Sequence, residues 1–193
     1  MIIMEKNWSY TIKDINHPKC GKTLWSGRYC AVTGIVWYVD IMTDKNYFLI
    51  SKRGSGAADF QGKWCLPCGF LEANETGEDG VLREIKEETG VTVDFKPIFF
   101  SVETDPQYCN NGNVTLRYIC PMHEMVKPKY ENINGEENEV ADLRWISEDE
   151  IGLYDFCFNH EDILYLFLFQ YLNIHKYLPK IYHRLKDANG WTS

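Results

Sequence analysis

Between Gly69 and Val91 the chain reads GFLEANETGEDGVLREIKEETGV, and no other stretch restricts its folding as tightly. The spacing of Val81, Leu82 and Ile85 predicts a helix from Gly77 to Thr89 with one apolar side. At about 100° per residue, Glu84, Glu87 and Glu88 share one arc of roughly 100° next to that side. Glu84 and Glu88 form a like-charged i,i+4 pair, which costs about 0.2–0.5 kcal/mol. All three glutamates also stand in the last turns, where the helix dipole disfavours negative charge. On an unmarked helix this would be a solvated acidic face. Here glycines bound the segment at both ends and Arg83 is spaced to pair with Glu87. The crowding therefore asks for a divalent cation with oxygen ligands, Mg2+ or Mn2+.

Gly69, Glu75, Arg83, Glu84, Ile85, Glu87, Glu88, Gly90 and Val91 reproduce without a mismatch the box G-x5-E-x7-R-E-U-x-E-E-x-G-U, with U aliphatic. The chain thus resembles the Nudix hydrolases, the MutT-like family. The box covers 23 of 193 residues. Its surroundings are similar to the family too, with a strand and a GKW-LP run before it and NEVADLRWIS after it. The resemblance implies an α/β fold, an α/β/α sandwich with a mixed, curved sheet between the box helix and a C-terminal helix. It also implies a Mg2+-dependent pyrophosphohydrolase that attacks one phosphorus of a nucleoside diphosphate derivative with water. Glu84, Glu87 and Glu88, with the backbone carbonyl of Gly69, would hold the metal. Arg83 would orient the carboxylates through Glu87 or Glu75. The general base would be Glu84 or Glu139; Glu136 and Glu137 compete with Glu139, and a solvated acidic loop is the plain alternative for all three. Many family members carry a glycine where this chain has Cys68, which brings bulk and thiol chemistry beside Gly69.

Substrate signals are single residues. Pro106 lies 15 residues beyond Val91, a spacing that resembles ADP-ribose hydrolases of the family, while Tyr108 is close to a spacing of dinucleoside polyphosphate hydrolases. The reading leans to ADP-ribose or another nucleotide sugar, with Tyr108, Trp145 or Phe100 as aromatics able to stack on a base. The alternatives are a hydrolase of nucleoside triphosphates or dinucleoside polyphosphates, and a noncatalytic nucleotide-sensing module. A net charge of −8 argues against nucleic acid or an anionic membrane surface as partner. An anionic small molecule then needs local cations, and Lys52 and Arg53, at the end of a strand before the Gly54–Gly62 loop, are the candidates. Routine surface charge is the equally common role for such residues.

The rest of the chain reads as an N-terminal extension (1–24), one domain (25–176) and a C-terminal tail (177–193). Strands are expected over 29–39, 46–51, 63–71, 92–102, 114–120 and 140–146. Asn159 should cap a helix running to about His175. Its apolar run Ile163–Phe169 is too short to span a bilayer and fits core packing or a homodimer contact. The start of the chain shows no secretory signal pattern. Seven scattered cysteines suggest reduced thiols in a cytoplasmic protein. A zinc site joining His17 and Cys20 to Cys65 and Cys68 would require the fold to bring the two pairs together.

Overall fold

A computed structural model describes residues 28–105, 113–130 and 138–177. His17, Cys20, Pro106, Tyr108, Glu136, Glu137 and the tail beyond Tyr177 lie outside the described residues. In chain order the elements are β1 (Cys30–Asp40), β2 (Lys45–Arg53), β3 (Trp64–Cys65), β4 (Cys68–Phe70), α1 (Gly77–Thr89), β5 (Ile98–Glu103), β6 (Val114–Pro121), β7 (Val140–Ser147) and α2 (His160–Leu166).

β-branched and aromatic residues make β1 and β2 a hairpin, paired from Asp40↔Lys45 to Trp37↔Phe48. Past that point the two strands take different neighbours. β1 continues against β4, from Thr33↔Cys68 to Ala31↔Phe70. β2 continues against β3 and, on its length from Tyr47 to Arg53, against β7. β6 runs parallel to β1 and β5 antiparallel to β6, so the seven-stranded sheet is mixed. The single strand expected over 63–71 is split into β3 and β4 around Pro67, which lacks the N–H a continuous ladder needs. β5 likewise begins only at Ile98, after Pro97.

Strand alternation sends successive residues to two cores. Val32, Val36, Leu49 and Cys120 meet Val81 and Ile85 of α1 on one face. Ile35, Phe48, Ile50 and Ile119 meet Ile163, Leu164 and Phe167 on the other. The result is the expected helix–sheet–helix layering. α1 has the expected bounds: Thr76 caps it by accepting from the Asp79 N–H at 3.2 Å, and Gly90 ends it at φ 69°, a left-handed conformation suited to glycine.

The second helix is shorter than expected. After Leu166 the backbone widens into a π-helical turn, Phe167–Tyr171, and a 3-10 turn follows at His175–Tyr177. Phe167 is fully buried there, with Trp37, Phe48 and Phe100 packed edge-on around its ring at 5.3, 5.7 and 6.1 Å. The apolar run that fitted a homodimer contact is therefore used in the chain's own core. Among the described residues, no helix is long and apolar enough to cross a membrane.

Candidate active site

Arg83 organises the acidic face of α1. Its guanidinium grips Glu75 with two bonds, Nη2 to Oε1 at 2.7 Å and Nε to Oε2 at 3.0 Å. Nη1 donates to Glu84 at 2.8 Å and to Glu87 at 3.0 Å, and Nη2 also reaches the Phe70 carbonyl at 2.9 Å. One planar cation thus fixes three carboxylates and ties the helix to β4. The expected Arg83–Glu87 pair is present, and Glu84 and Glu75 share the same arginine. That contact holds the Glu75 carboxyl below its ordinary range, whereas burial pushes Glu84 upward.

Glu88 is different. It is 6% exposed and accepts from the Cys68 backbone N–H at 3.2 Å. Burial, then the neighbouring Cys65, Glu84 and Glu139, raise its pKa well above the carboxylate range. A buried carboxylate surrounded by further negative groups suits a hard divalent cation, so the oxygen donors Glu84, Glu87, Glu88 and the Gly69 carbonyl fit Mg2+ or Mn2+. Among the described residues no three acidic, imidazole or thiol groups already form a metal cage; Arg83 holds Glu84 and Glu87 to itself.

Beside this face lies a cavity of about 250 Å3, lined among others by Arg53, Gly69, Arg117, Glu139, Phe158 and His160. The three α1 glutamates do not line it. Gly69 joins the two: its backbone lines the cavity, and a Cβ built on it would fall 2.2 Å from Glu84 Oε1. Glu139 reaches the cavity because its carbonyl accepts from the Gly54 N–H at 2.6 Å, and Asn138 before it, at φ 64°, accepts from the Gly56 N–H at 2.9 Å. The loop after β2 thereby holds Asn138 and Glu139 in place.

Of the two candidate cations, the structure brings only Arg53 to the cavity. Its guanidinium is held by Asp59 at 2.7 Å and stands 5.5 Å from the Phe158 ring centre. Lys52 does not line the cavity; its ammonium sits 5.9 Å from the Trp64 ring centre, because adjacent strand residues point to opposite faces. Trp145 donates to the Val126 carbonyl and Phe100 packs on Phe167, so neither aromatic lines the cavity.

Residues not singled out by the sequence reading complete the wall. Arg117, 4% exposed, reaches Glu103 and Asn159, each at 3.3 Å. His160, also 4% exposed, accepts from the Leu66 N–H at 2.9 Å through Nδ1, and burial pushes its pKa down to about 4. Phe158 adopts φ 57°, a left-handed conformation unusual for an aromatic residue, and packs 5.1 Å from the Phe60 and His160 ring centres. A charged residue inside the strand run LRYIC was the available signal for Arg117.

Comparison with known proteins identifies the family. The chain is 31% identical over 118 residues to Nudix hydrolase 2 of Arabidopsis thaliana, covering 61% of this chain and 40% of that protein. It is 40% identical over 70 residues to the ADP-ribose pyrophosphatase of Methanocaldococcus jannaschii, covering 35% of this chain and 40% of that protein. The chain thus spans about two fifths of the length of each of these relatives. Among solved structures, the NUDIX domain of Shewanella oneidensis NrtR complexed with ADP ribose superposes with a TM-score of 0.61 at 20% identity, covering 72% of this chain and 86% of that one. The family model of the NUDIX domain matches residues 34–167, and by that match, more than half its length, the chain belongs to the Nudix family.

Proposed function

We propose that this chain is a Mg2+-dependent pyrophosphohydrolase acting on a nucleoside diphosphate joined to a second moiety, with ADP-ribose or a related nucleotide sugar as its substrate class. The observation that carries the reading is the meeting, at Gly69, of a carboxylate-rich helix face with a cavity that holds two arginines. Glu84, Glu87, Glu88 and the Gly69 carbonyl would hold the metal. When bound, that ion supplies charge neutralisation at the diphosphate and a lowered pKa for water.

The protein's own residues do the rest. Arg53 and Arg117 hold phosphate oxygens, and Phe158 offers a ring face to a base or sugar. Glu139 accepts the proton of the attacking water. The water oxygen bonds to one phosphorus, the bridging P–O bond breaks, and a nucleoside monophosphate and a phosphorylated remainder leave. The lean to a nucleotide sugar draws support from the Methanocaldococcus relative, an ADP-ribose pyrophosphatase, and from the ADP ribose bound by the Shewanella domain.

The test is phosphomonoester formation over ADP-ribose, NADH, nucleoside triphosphates and dinucleoside polyphosphates, with and without Mg2+. Metal-dependent turnover that Glu87→Gln abolishes without unfolding supports the reading. Glu139→Gln should lower kcat strongly; a change below about threefold, under ~0.7 kcal/mol in barrier, returns Glu139 to a solvated loop. Tight binding without turnover across the panel would favour a nucleotide sensor.

A further inference from the structure

His160 owes its place to an interrupted ladder. Trp64 and Phe156 form a parallel bridge, in which the Trp64 N–H donates to the Asp155 carbonyl at 2.9 Å and the Cys157 N–H to the Trp64 carbonyl at 2.8 Å. Continued, that ladder would send the Leu66 N–H to the Cys157 carbonyl. Instead the chain turns at Phe158, φ 57°, and the Leu66 N–H donates to His160 Nδ1 at 2.9 Å. A side-chain nitrogen thus stands in for a backbone carbonyl. The same turn sets the consecutive residues Phe158, Asn159 and His160 against the cavity, where an extended strand would alternate them.

That bond fixes the ring's remaining chemistry. Nδ1 is an acceptor, so in the neutral imidazole Nε2 carries the proton and no lone pair is left for a metal. Burial pushes the pKa down to about 4, so at neutral pH the ring offers one N–H without charge. Among the described residues Nε2 has no hydrogen-bond partner, and unlike Ser101 Oγ it is not sealed in the core without one. In a side chain only 4% exposed, its N–H therefore opens on the cavity that His160 lines. Buried donors normally find an acceptor, and here the acceptor comes from whatever fills the cavity.

We propose that the His160 Nε2–H binds an uncharged acceptor on the substrate, an oxygen of a sugar or an acceptor atom of a base, and so helps to select the nucleotide derivative. This inference rests on the proposed function. The charges in the cavity divide the task. Arg53 and Arg117, paired with Asp59 and Glu103, are the cationic groups and suit phosphate oxygens. A neutral N–H beside the Phe158 ring, 5.1 Å between ring centres, suits the uncharged part of the same molecule. A site built to donate to a substrate atom discriminates against analogues that lack it, because the donor is then left buried and unpaired.

The experiment titrates AMP, ribose 5-phosphate and imidodiphosphate, a diphosphate analogue whose bridge resists hydrolysis, into the full-length protein with Mg2+ by calorimetry. Wild type is compared with two variants. In His160→Asn the short amide can still accept from Leu66 but stops short of the Nε2 position; in His160→Gln an amide N–H reaches it. His160→Asn should weaken AMP or ribose 5-phosphate by about 3–10-fold, the net worth of one neutral hydrogen bond, and leave imidodiphosphate unchanged, while His160→Gln restores most of the loss. Loss on AMP alone seats the nucleoside at His160; loss on ribose 5-phosphate seats a sugar oxygen there. Unchanged affinity for both fragments, an equal loss on imidodiphosphate, or an equal loss in both variants overturns the proposal. Should His160→Asn fail to fold, the wild-type imidazole decides. In isotope-labelled protein the His160 Nε2–H signal should move downfield at saturation with the bound fragment, and an unmoved signal overturns the proposal. Wild type that binds none of the ligands refutes the proposed function and this inference together, whereas binding that His160→Asn leaves intact removes the donor and leaves the function standing.

Discussion

Gly69→Ala puts a methyl group where the Glu84 carboxylate lies, 2.2 Å from Oε1, 2.3 Å from Cδ and 2.4 Å from Oε2. Ordinary contact begins at 3.4 Å, so the carboxylate must retreat by roughly 1.2 Å. Its retreat is restricted, since Arg83 holds Oε1 at 2.8 Å and the side chain is only 13% exposed. A misplacement of about 1 Å costs on the order of 100-fold in rate, or about 2.7 kcal/mol of barrier. The fold should be nearly unaffected. Gly69 is not among the residues at positive φ, and the obstructing atoms are the tip of a flexible side chain, so the loss of stability should stay under about 1 kcal/mol. The assay is kcat for ADP-ribose hydrolysis at saturating Mg2+, with Tm measured on the same preparation. A kcat within about threefold of wild type, at unchanged Tm, would show that Glu84 need not stand against Gly69.

Glu88→Gln should abolish turnover and yet stabilise the metal-free protein. Because the folded-state pKa of Glu88 is raised, its cost is absent below the ordinary carboxylate range and sets in as pH rises through the folded value. In chelator at pH 8 the variant should gain about 1–3 kcal/mol, with the difference vanishing near pH 4; a lower Tm than wild type at pH 8 contradicts this. His160 has the opposite linkage. With its folded value near 4 and an ordinary value of about 6.5, its contribution is complete above about pH 6.5 and is lost as pH falls toward 4, amounting to about 3 kcal/mol. Urea denaturation at pH 7 and pH 4.5 should show that loss in wild type and a smaller one in His160→Gln; equal losses would count against it.

The box helix was legible to the residue because its cues are local: glycines at both ends of the segment and apolar residues at helical spacing. So were the β1–β2 hairpin, from its β-branched and aromatic residues, and β7, from its resemblance to the family. Local reading failed where the chain is interrupted, at Pro67 and Pro97, and along Phe167–Tyr171, where burial of consecutive apolar residues accompanies a π-helical turn. The carboxylate face was visible from spacing on one helix. The cavity was not, because Arg53, Arg117, Glu139 and His160 come from four segments whose meeting is set by sheet order. Lys52 and Arg53 are adjacent in sequence, so only the position of the strand's faces could separate them.

The two cores on opposite faces of the sheet divide the labour of the site. α1 and its glutamates rest on the core of Val81 and Ile85, whereas Ile163 and His160, which help wall the cavity, belong to α2 and the other core. The carboxylate face and the cavity therefore have separate foundations joined at one glycine. On the proposed function, side chains around Phe158 and Arg117 could be exchanged to change which nucleotide derivative fits, while the carboxylates that would hold the metal keep their footing.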